Sequence, residues 1–406
     1  MDTTLSPFQM QNFYFPAIGI VAFALLHFYM YKALLKNLAT TPLFKAFWLG
    51  FSVLNMLGCG LYFIFMHTGL GSQAAYFLMS LAVGMAFCLF IITLLYQICS
   101  LAILGVEPKH KRARARFWLK RAMGILALIF IIYGVVNGVQ KPKVREMEVQ
   151  IAGLQNGLKA VQLSDLHIGG IIESSRVKDI VERVNALEPD VIFLTGDIVD
   201  SKLANVVSAV DELAHLRARY GVYYVLGNHE YFHEVKEILQ KMRDFGFIVL
   251  ENDTHILQTE SSQILIAGIR DLVGVRAAFS ALELQPDVRG TLFQALEQGA
   301  ELDSHTPIIL LSHQPKVIEE LESISLEEPE LTKNIALILS GHTHGGQIFP
   351  FSLLVLLQQP HIKGLFDVQN LPNTKLYINQ GTGYWGPPMR VGSESEITLL
   401  HLKPKS

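Results

Sequence analysis

The hydrophobic pattern of this chain changes once, near residue 140. Before that point apolar residues run on almost unbroken, over roughly Phe13–Leu35, Leu43–Met66, Ala74–Leu104 and Ala122–Val139. Each run is near or above the ~20 residues that carry a helix across a bilayer. The third is longer than a span needs and is expected to tilt or to extend past the lipid. Four such runs in succession argue against buried core helices of a soluble protein. The first has neither a basic leading segment nor a small-residue cleavage site, so it reads as a retained span.

After residue 140 short apolar runs alternate with amphipathic ones. Leu158–Leu163, Val191–Leu194, Val222–Leu226, Phe247–Leu250, Ile264–Ala267, Ile308–Leu311, Ile335–Leu339, Leu376–Ile378 and Ile397–Leu402 read as strands. Several are apolar throughout, as strands buried on both faces are. Helical spacing marks Arg176–Leu187, Val206–Leu216 and Glu234–Phe245,. The pattern predicts an α/β domain in which helices cover one sheet or two packed sheets. The expected division is a transmembrane region over 1–140, a linker and first strand over 141–157, and the α/β domain over 158–406.

Charge adds an orientation. Ten lysines and arginines stand against Asp2 and Glu107 in the first 140 residues, and the chain as a whole carries −3, so the remainder is strongly acidic. An acidic α/β domain does not fit non-specific nucleic-acid binding. Lys109, Lys111, Arg112, Arg114, Arg116, Lys120 and Arg121 crowd the link between the third and fourth runs, and Lys32, Lys36 and Lys45 the link between the first two. Basic links stay cytoplasmic. The uncharged link His67–Gln73 and the N-terminus then lie outside, and so does everything after Val139. Tyr14, Trp48, Trp118 and Tyr133 suit the interfacial belts,. Polar residues within the runs are few, His27, Asn55 and Gln97 among them, with His67 near an end and no acid or arginine at mid-span. That is the composition of an anchor whose helices pack on polar side chains, not of an ion-coupled path. The three cysteines, Cys59, Cys88 and Cys99, all fall in these runs and form no disulfide framework,.

Candidate chemistry sits at the ends of the buried strands. Gly341-His342-Thr343-His344-Gly345-Gly346-Gln347 follows Ile335–Leu339. Its two histidines, two residues apart, would share a face of extended backbone, which points to metal ligation. Alone, this pattern occurs also as two surface histidines. Four other strands end the same way, in Asp165-Leu166-His167, Gly196-Asp197-Ile198-Val199-Asp200, Gly227-Asn228-His229-Glu230 and Ser312-His313-Gln314-Pro315. The C-terminal ends of strands are where open α/β sheets bind ligands. Carboxylate, imidazole and amide donors without a thiolate suit divalent Mn, Fe, Zn, Co or Ni. The donors exceed what one ion takes, so two ions sharing one carboxylate are expected.

In this order the five blocks resemble the calcineurin-like metallophosphoesterases, over about residues 158–402. The longer form of the last block, together with the membrane part, is similar to a bacterial branch of membrane-attached phosphodiesterases. The resemblance implies a four-layer α/β/β/α sandwich and two divalent ions, with manganese, iron or zinc foremost. It implies Asp165, His167 and His344 on one ion, Asn228, His313 and His342 on the other, and Asp197 bridging. His229 would then be the proton donor or phosphate clamp at the leaving group, and Glu230 a supporting residue. Asp200 reads as a support or a helix cap.

Two further stretches carry weaker expectations. Gly381–Arg390 reads as a rim loop on which Arg390 is either solvated or paired with a phosphate. Ile348–Leu357 is apolar enough to be core or a flap toward the bilayer that admits a lipid tail. His215, His233, His255, His305 and His361 fit no ligand pattern. The reading that results is a membrane-anchored phosphodiesterase or pyrophosphatase facing away from the cytoplasm. Its expected partners are a phosphorylated small molecule or lipid and the bilayer. The alternatives are a non-catalytic metal-binding sensor, a transporter with a regulatory domain, and a cytoplasm-facing lipid-precursor pyrophosphatase.

Overall fold

In the computed structural model, which describes residues 7–38, 41–65, 72–303 and 305–405, the four apolar runs are four long helices. They are α1 (Pro7–Ala33), α2 (Pro42–Phe65), α3 (Gln73–Ala102) and α4 (Lys109–Val139). His67 and the side chain of Tyr14 lie outside the described residues. All four helices are long and apolar enough to cross a membrane. Large apolar side chains such as Leu43, Leu54, Ile98, Leu101 and Ile125 point outward, as on helices whose solvent is lipid rather than water. Between the helices the polar residues pair. His27 Nε2 lies 2.8 Å from Asn55 Oδ1, and Asn55 Nδ2 donates to the Ala82 carbonyl at 3.2 Å, so one chain of bonds joins α1, α2 and α3. Gln97 instead faces outward. The basic stretch from Lys109 to Arg121, read above as a link, is the first part of α4. Residues 386–391 group with these helices: the Arg390 N–H donates to the Gly134 carbonyl, and Asn137 Nδ2 to the Arg390 carbonyl.

The remaining residues form a second unit built on two six-stranded sheets. In chain order it contains β1 (Lys143–Ile151), β2 (Leu158–Leu163), α5 (Ser174–Asn185), β3 (Val191–Thr195), α6 (Leu203–Asp211), β4 (Val222–Val225), α7 (Val235–Asp244) and β5 (Ile248–Val249). It continues with β6 (Asp253–Gln258), β7 (Gln263–Gly268), α8 (Val288–Glu301), β8 (Ile308–Leu311), α9 (Val317–Glu327), α10 (Pro329–Thr332) and β9 (Ile335–Ser340). It closes with α11 (Phe351–Val355), β10 (Gly364–Val368), β11 (Leu371–Ile378) and β12 (Glu396–Pro404). The first sheet runs β1-β12-β2-β3-β4-β5 and the second β10-β11-β9-β8-β7-β6. In each, a parallel core (β2 to β5, and β7-β8-β9-β11) meets an antiparallel neighbour.

Period-two alternation sorts the strand side chains into layers. Val191 and Phe193 of β3, Leu337 and Leu339 of β9, and Leu400 and Leu402 of β12 fill the space between the sheets. Ile192 and Leu194 of β3 face the other way, onto Val177, Ile180, Val181 and Val184 of α5 and onto the apolar sides of α6 and α7. On the second sheet Leu310 and Ile338 pack on Leu292 of α8 and Leu321 of α9. The order of layers is therefore α/β/β/α. One consequence positions the site. β2, β3 and β4 of the first sheet and β8 and β9 of the second each end in one of the candidate blocks.

Candidate metal centre

The five strand ends meet. The loop after β2 is laid along the loop after β3 by backbone bonds from Asp165 N to Gly196 O, His167 N to Asp197 O and Ile168 N to Ile198 O. The loop after β9 joins them where the His342 N–H donates to the Asp165 carboxylate at 3.0 Å. Asp165, His167, Asp197, His342 and His344 all have positive φ, between 50° and 71°. Non-glycine residues rarely adopt it, and each instance costs of order 1–3 kcal/mol. Five on one set of side chains is strain concentrated at a site and held there by the surrounding bonds.

Three overlapping groups of donors result among the described residues; one joins His167 and Asp197 to His229, and the other two correspond to the two expected ion sites. Asp165, His167 and His344 offer ligand atoms within 4.8 Å of one another, and so do Asp197, His313 and His342. In the first, His344 Nε2 lies 3.3 Å from Asp165 Oδ1 and 3.0 Å from His167 Nε2. In the second, His313 Nε2 lies 3.1 Å from Asp197 Oδ2 and 3.3 Å from His342 Nδ1. Asp197 reaches toward the first group as well, with Oδ2 at 3.9 Å from His167 Nε2. Burial and the neighbouring His313 push His342 down to about 3, so it is a neutral imidazole with a lone pair to offer. Asp197 stays ionised: burial opposes this, but the His313 imidazole holds it well below the usual carboxylate range. Asn228 adds a buried Oδ1 that has no hydrogen-bond partner. Leaving such an oxygen unsatisfied costs about 1–3 kcal/mol, and a cation would satisfy it. Imidazole, carboxylate and amide donors without thiolate, together with this orphaned oxygen, fit a pair of divalent ions.

Two glycines explain part of the motif spacing. A Cβ on Gly341 would stand 2.4 Å from Asp165 Oδ2, and one on Gly227 2.2 Å from Asp197 Oδ1. Backbone must come that close for the carboxylates to reach the centre. Gly227→Ala is therefore expected to displace the Asp197 carboxylate and to lower metal affinity by about 10–100-fold or more, the range seen when a ligand's support is lost. Isothermal titration of the metal-stripped protein checks this. An unchanged affinity would contradict the close approach.

Around the donors is a supporting shell that the motifs only partly announced. The Glu230 carboxylate accepts from the N–H groups of Gly227, Asp197, Ile198 and Val199 at 2.7–3.1 Å, tying the β3 and β4 loops together. Asp200 is neither solvated nor a cap. Its carboxylate faces three histidines: His229 Nδ1 at 2.8 Å, His233 Nε2 at 3.1 Å and His167 Nδ1 at 3.3 Å. His233, which fitted no ligand pattern, thus belongs to the site's support. No periodicity marks it, and only its position four residues beyond His229 gave a hint. Burial alone would lower the His229 pKa, but the carboxylates of Asp200 and Asp197 raise it to about 10. With Nδ1 on Asp200, its Nε2 looks toward Asp197 Oδ2, 4.0 Å away.

The Gly381–Arg390 stretch does not act as one rim loop. Trp385 stays with the α/β unit, its ring centroid 5.8 Å from that of His229. Gln347 clamps it by donating to the Trp385 carbonyl and accepting its N–H. Arg390 belongs to the helical unit and is 0% exposed. A fully buried guanidinium on a segment bonded to α4 is not the solvent-facing loop residue expected.

A family model described as calcineurin-like phosphoesterase matches residues 158–346. A metallophosphoesterase of Campylobacter jejuni is 32% identical over 399 residues, which cover 96% of this chain and 98% of that one. A transmembrane protein with metallophosphoesterase domain from Danio rerio is 36% identical over 286 residues, 69% of this chain and 61% of its own. A dimetal phosphatase structure from Danio rerio aligns over 56% of this chain and 88% of its own, at 12% identity and a TM-score of 0.37.

Proposed function

We propose that this chain, which belongs to the calcineurin-like metallophosphoesterase family, is a membrane-anchored hydrolase of phosphodiester or pyrophosphate bonds whose substrate is a lipid-linked or envelope phosphate. Metal-dependent phosphoester hydrolysis and membrane association are what the family and the four apolar helices give. The observation that supports it is the position of Asp197, whose carboxylate shares one donor group with His313 and His342 and another with His167 and His229; in this reading it bridges two ions, one held by Asp165, His167 and His344 and the other by Asn228, His313 and His342. Manganese, iron or zinc fits these donors. The basic residues of α4 and of the α1–α2 link support an α/β domain outside the cytoplasm. A reporter fused after Val139 tests that, since activity only of a cytoplasmic reporter would reverse it.

When bound, a pair of divalent ions makes hydroxide available near neutral pH and offsets charge on the phosphoryl oxygens. The protein's own part is positioning and one proton. His229, charged at neutral pH, holds its Nδ1 proton on Asp200 and presents Nε2–H to the leaving oxygen. As the bond from phosphorus to that oxygen breaks, the Nε2 proton passes to it and the imidazole is left neutral. Asp200 fixes the ring and stabilises its charged form. Activity should therefore persist until pH approaches 10 and fall as His229 loses its proton. Asp200→Asn removes the carboxylate that raises the His229 pKa, so the alkaline limb of kcat/KM should move to lower pH. An unmoved limb would separate His229 from the proton step.

The simplest test of the whole reading is hydrolysis of bis-p-nitrophenyl phosphate by the purified full chain, stripped of metal and then resupplied. Turnover that returns with manganese, iron or zinc is the expected result. No turnover with any divalent ion would favour a sensor.

A further inference from the structure

The segment after the last motif is the most apolar exposed surface of the α/β unit. From Ile348 to Leu357 the only polar side chain is Ser352. Ile348 is buried, but Phe349, Leu353, Leu354, Leu356 and Leu357 are exposed, Leu357 to 80%. Residues of this kind gathered in one short helix and its flanks are uncommon on a water-facing surface and mark something that covers them.

Its place in the fold says what. The segment begins at the residue after Gln347, and Gln347 grips the backbone of Trp385 from both sides. Trp385 is 43% exposed and its ring stands edge-on to His229, the proton donor. The start of α11 is fixed on the ligand loop, because a Cβ at Gly346 would meet Ser352 Cβ at 2.3 Å. The apolar segment therefore follows directly on the ligand loop, whose Gln347 holds Trp385 beside His229 on the leaving-group side. Six exposed apolar side chains and one indole are well short of the 20–30 residues a side that a stable dimer uses,. A surface tied to the ligand loop is placed to serve the substrate, as a surface for another protein need not be. The chain also carries four helices of membrane-spanning length, which put amphiphiles within reach.

We infer that Phe349–Leu357 and Trp385 form a binding surface for the hydrocarbon chain of an amphiphilic phosphoester, whose phosphate lies between the two donor groups. The inference rests on the phosphoesterase reading above and names its substrate class. Specificity then comes from chain length. A methylene fully buried on such a surface is worth roughly fourfold, and one covered on a single side less.

The test uses the full chain in detergent and a series of methyl alkyl phosphates from ethyl to octyl, with release of the longer alcohol, the group that departs past His229, as the measured product. For each protein the readout is the ratio of kcat/KM for octyl over ethyl, which does not depend on how much enzyme is active. The native chain should show a ratio of about ten or more. Leu353→Glu/Leu357→Glu should bring the ratio near one, and Leu353→Met/Leu357→Met should restore it. A native ratio near one, or an unchanged ratio in the glutamate variant, overturns the inference. So does a glutamate variant that keeps its ratio but changes from a dimer to a monomer, which would make the surface a contact between copies. If the native chain hydrolyses none of the series with any divalent ion, the phosphoesterase reading itself fails.

Discussion

Asp197→Asn should abolish hydrolysis, by about 10³-fold or more, and should reduce bound metal. The side chain is 2% exposed and its Oδ2 serves both donor groups, 3.1 Å from His313 Nε2 and 3.9 Å from His167 Nε2. Its Oδ1 accepts the His229 N–H at 2.8 Å, a bond that an amide oxygen can keep. What asparagine cannot keep is the negative charge that two cations held by these groups would share. Loss of several kcal/mol of charge stabilisation corresponds to a thousandfold or more in rate. Helix content and thermal unfolding should stay close to native, because the shape of the side chain is retained. Activity and metal content both unchanged would dismiss the bridging role.

His229→Ala should separate chemistry from metal binding. The ring is assigned to neither ion, although its Nε2 lies 4.0 Å from Asp197 Oδ2 in a donor group with His167, because its Nδ1 is committed to Asp200. Metal content should therefore stay near native while kcat falls by about 10²–10⁴, the usual contribution of a positioned general acid. The size of the fall should depend on the leaving group. A p-nitrophenolate departs without help, whereas an alkoxide needs the proton, so the variant should lose far more on an alkyl leaving group. Equal losses on both would mean that His229 clamps phosphate rather than donates a proton. Comparing the two substrates at saturating metal makes the distinction.

The sequence spoke clearly where chemistry is local to a strand end and poorly where it depends on what meets across the fold. Asp165, His167, Asp197, Asn228, His229, His313, His342 and His344 stand out as candidates because each follows a buried apolar run and sits beside a glycine or in a histidine-containing block. Glu230 was visible as a support, but its four backbone donors come from two loops that touch only in three dimensions. Asp200 was read as a support or a cap, and the contacts that decide for support, His233 among them, stay hidden for the same reason, coming from separate loops. Nothing in the one-dimensional pattern shows that a carboxylate after β3 will sit among three imidazoles from two loops. β12 was seen as a strand, but its insertion between β1 and β2 unites the first and last strands of the α/β unit in one sheet and has no local signal. The solvated reading of Arg390 fails because a Gly- and Pro-rich stretch looks like a surface loop, while its backbone is bonded to α4. The basic run after α3 misled in a milder way. Charge says which side of a membrane a segment prefers, not whether it is coiled or helical.

The most direct measurement of the central claim is metal stoichiometry. Full-length protein should be purified in detergent, dialysed against chelator, and reconstituted with increasing manganese or zinc. Bound metal is then counted by plasma mass spectrometry alongside phosphodiester turnover. The account predicts two ions per chain, with hydrolysis rising as the second is bound, and at most one ion with no hydrolysis in Asp197→Asn. Full hydrolysis with one ion or none would contradict it.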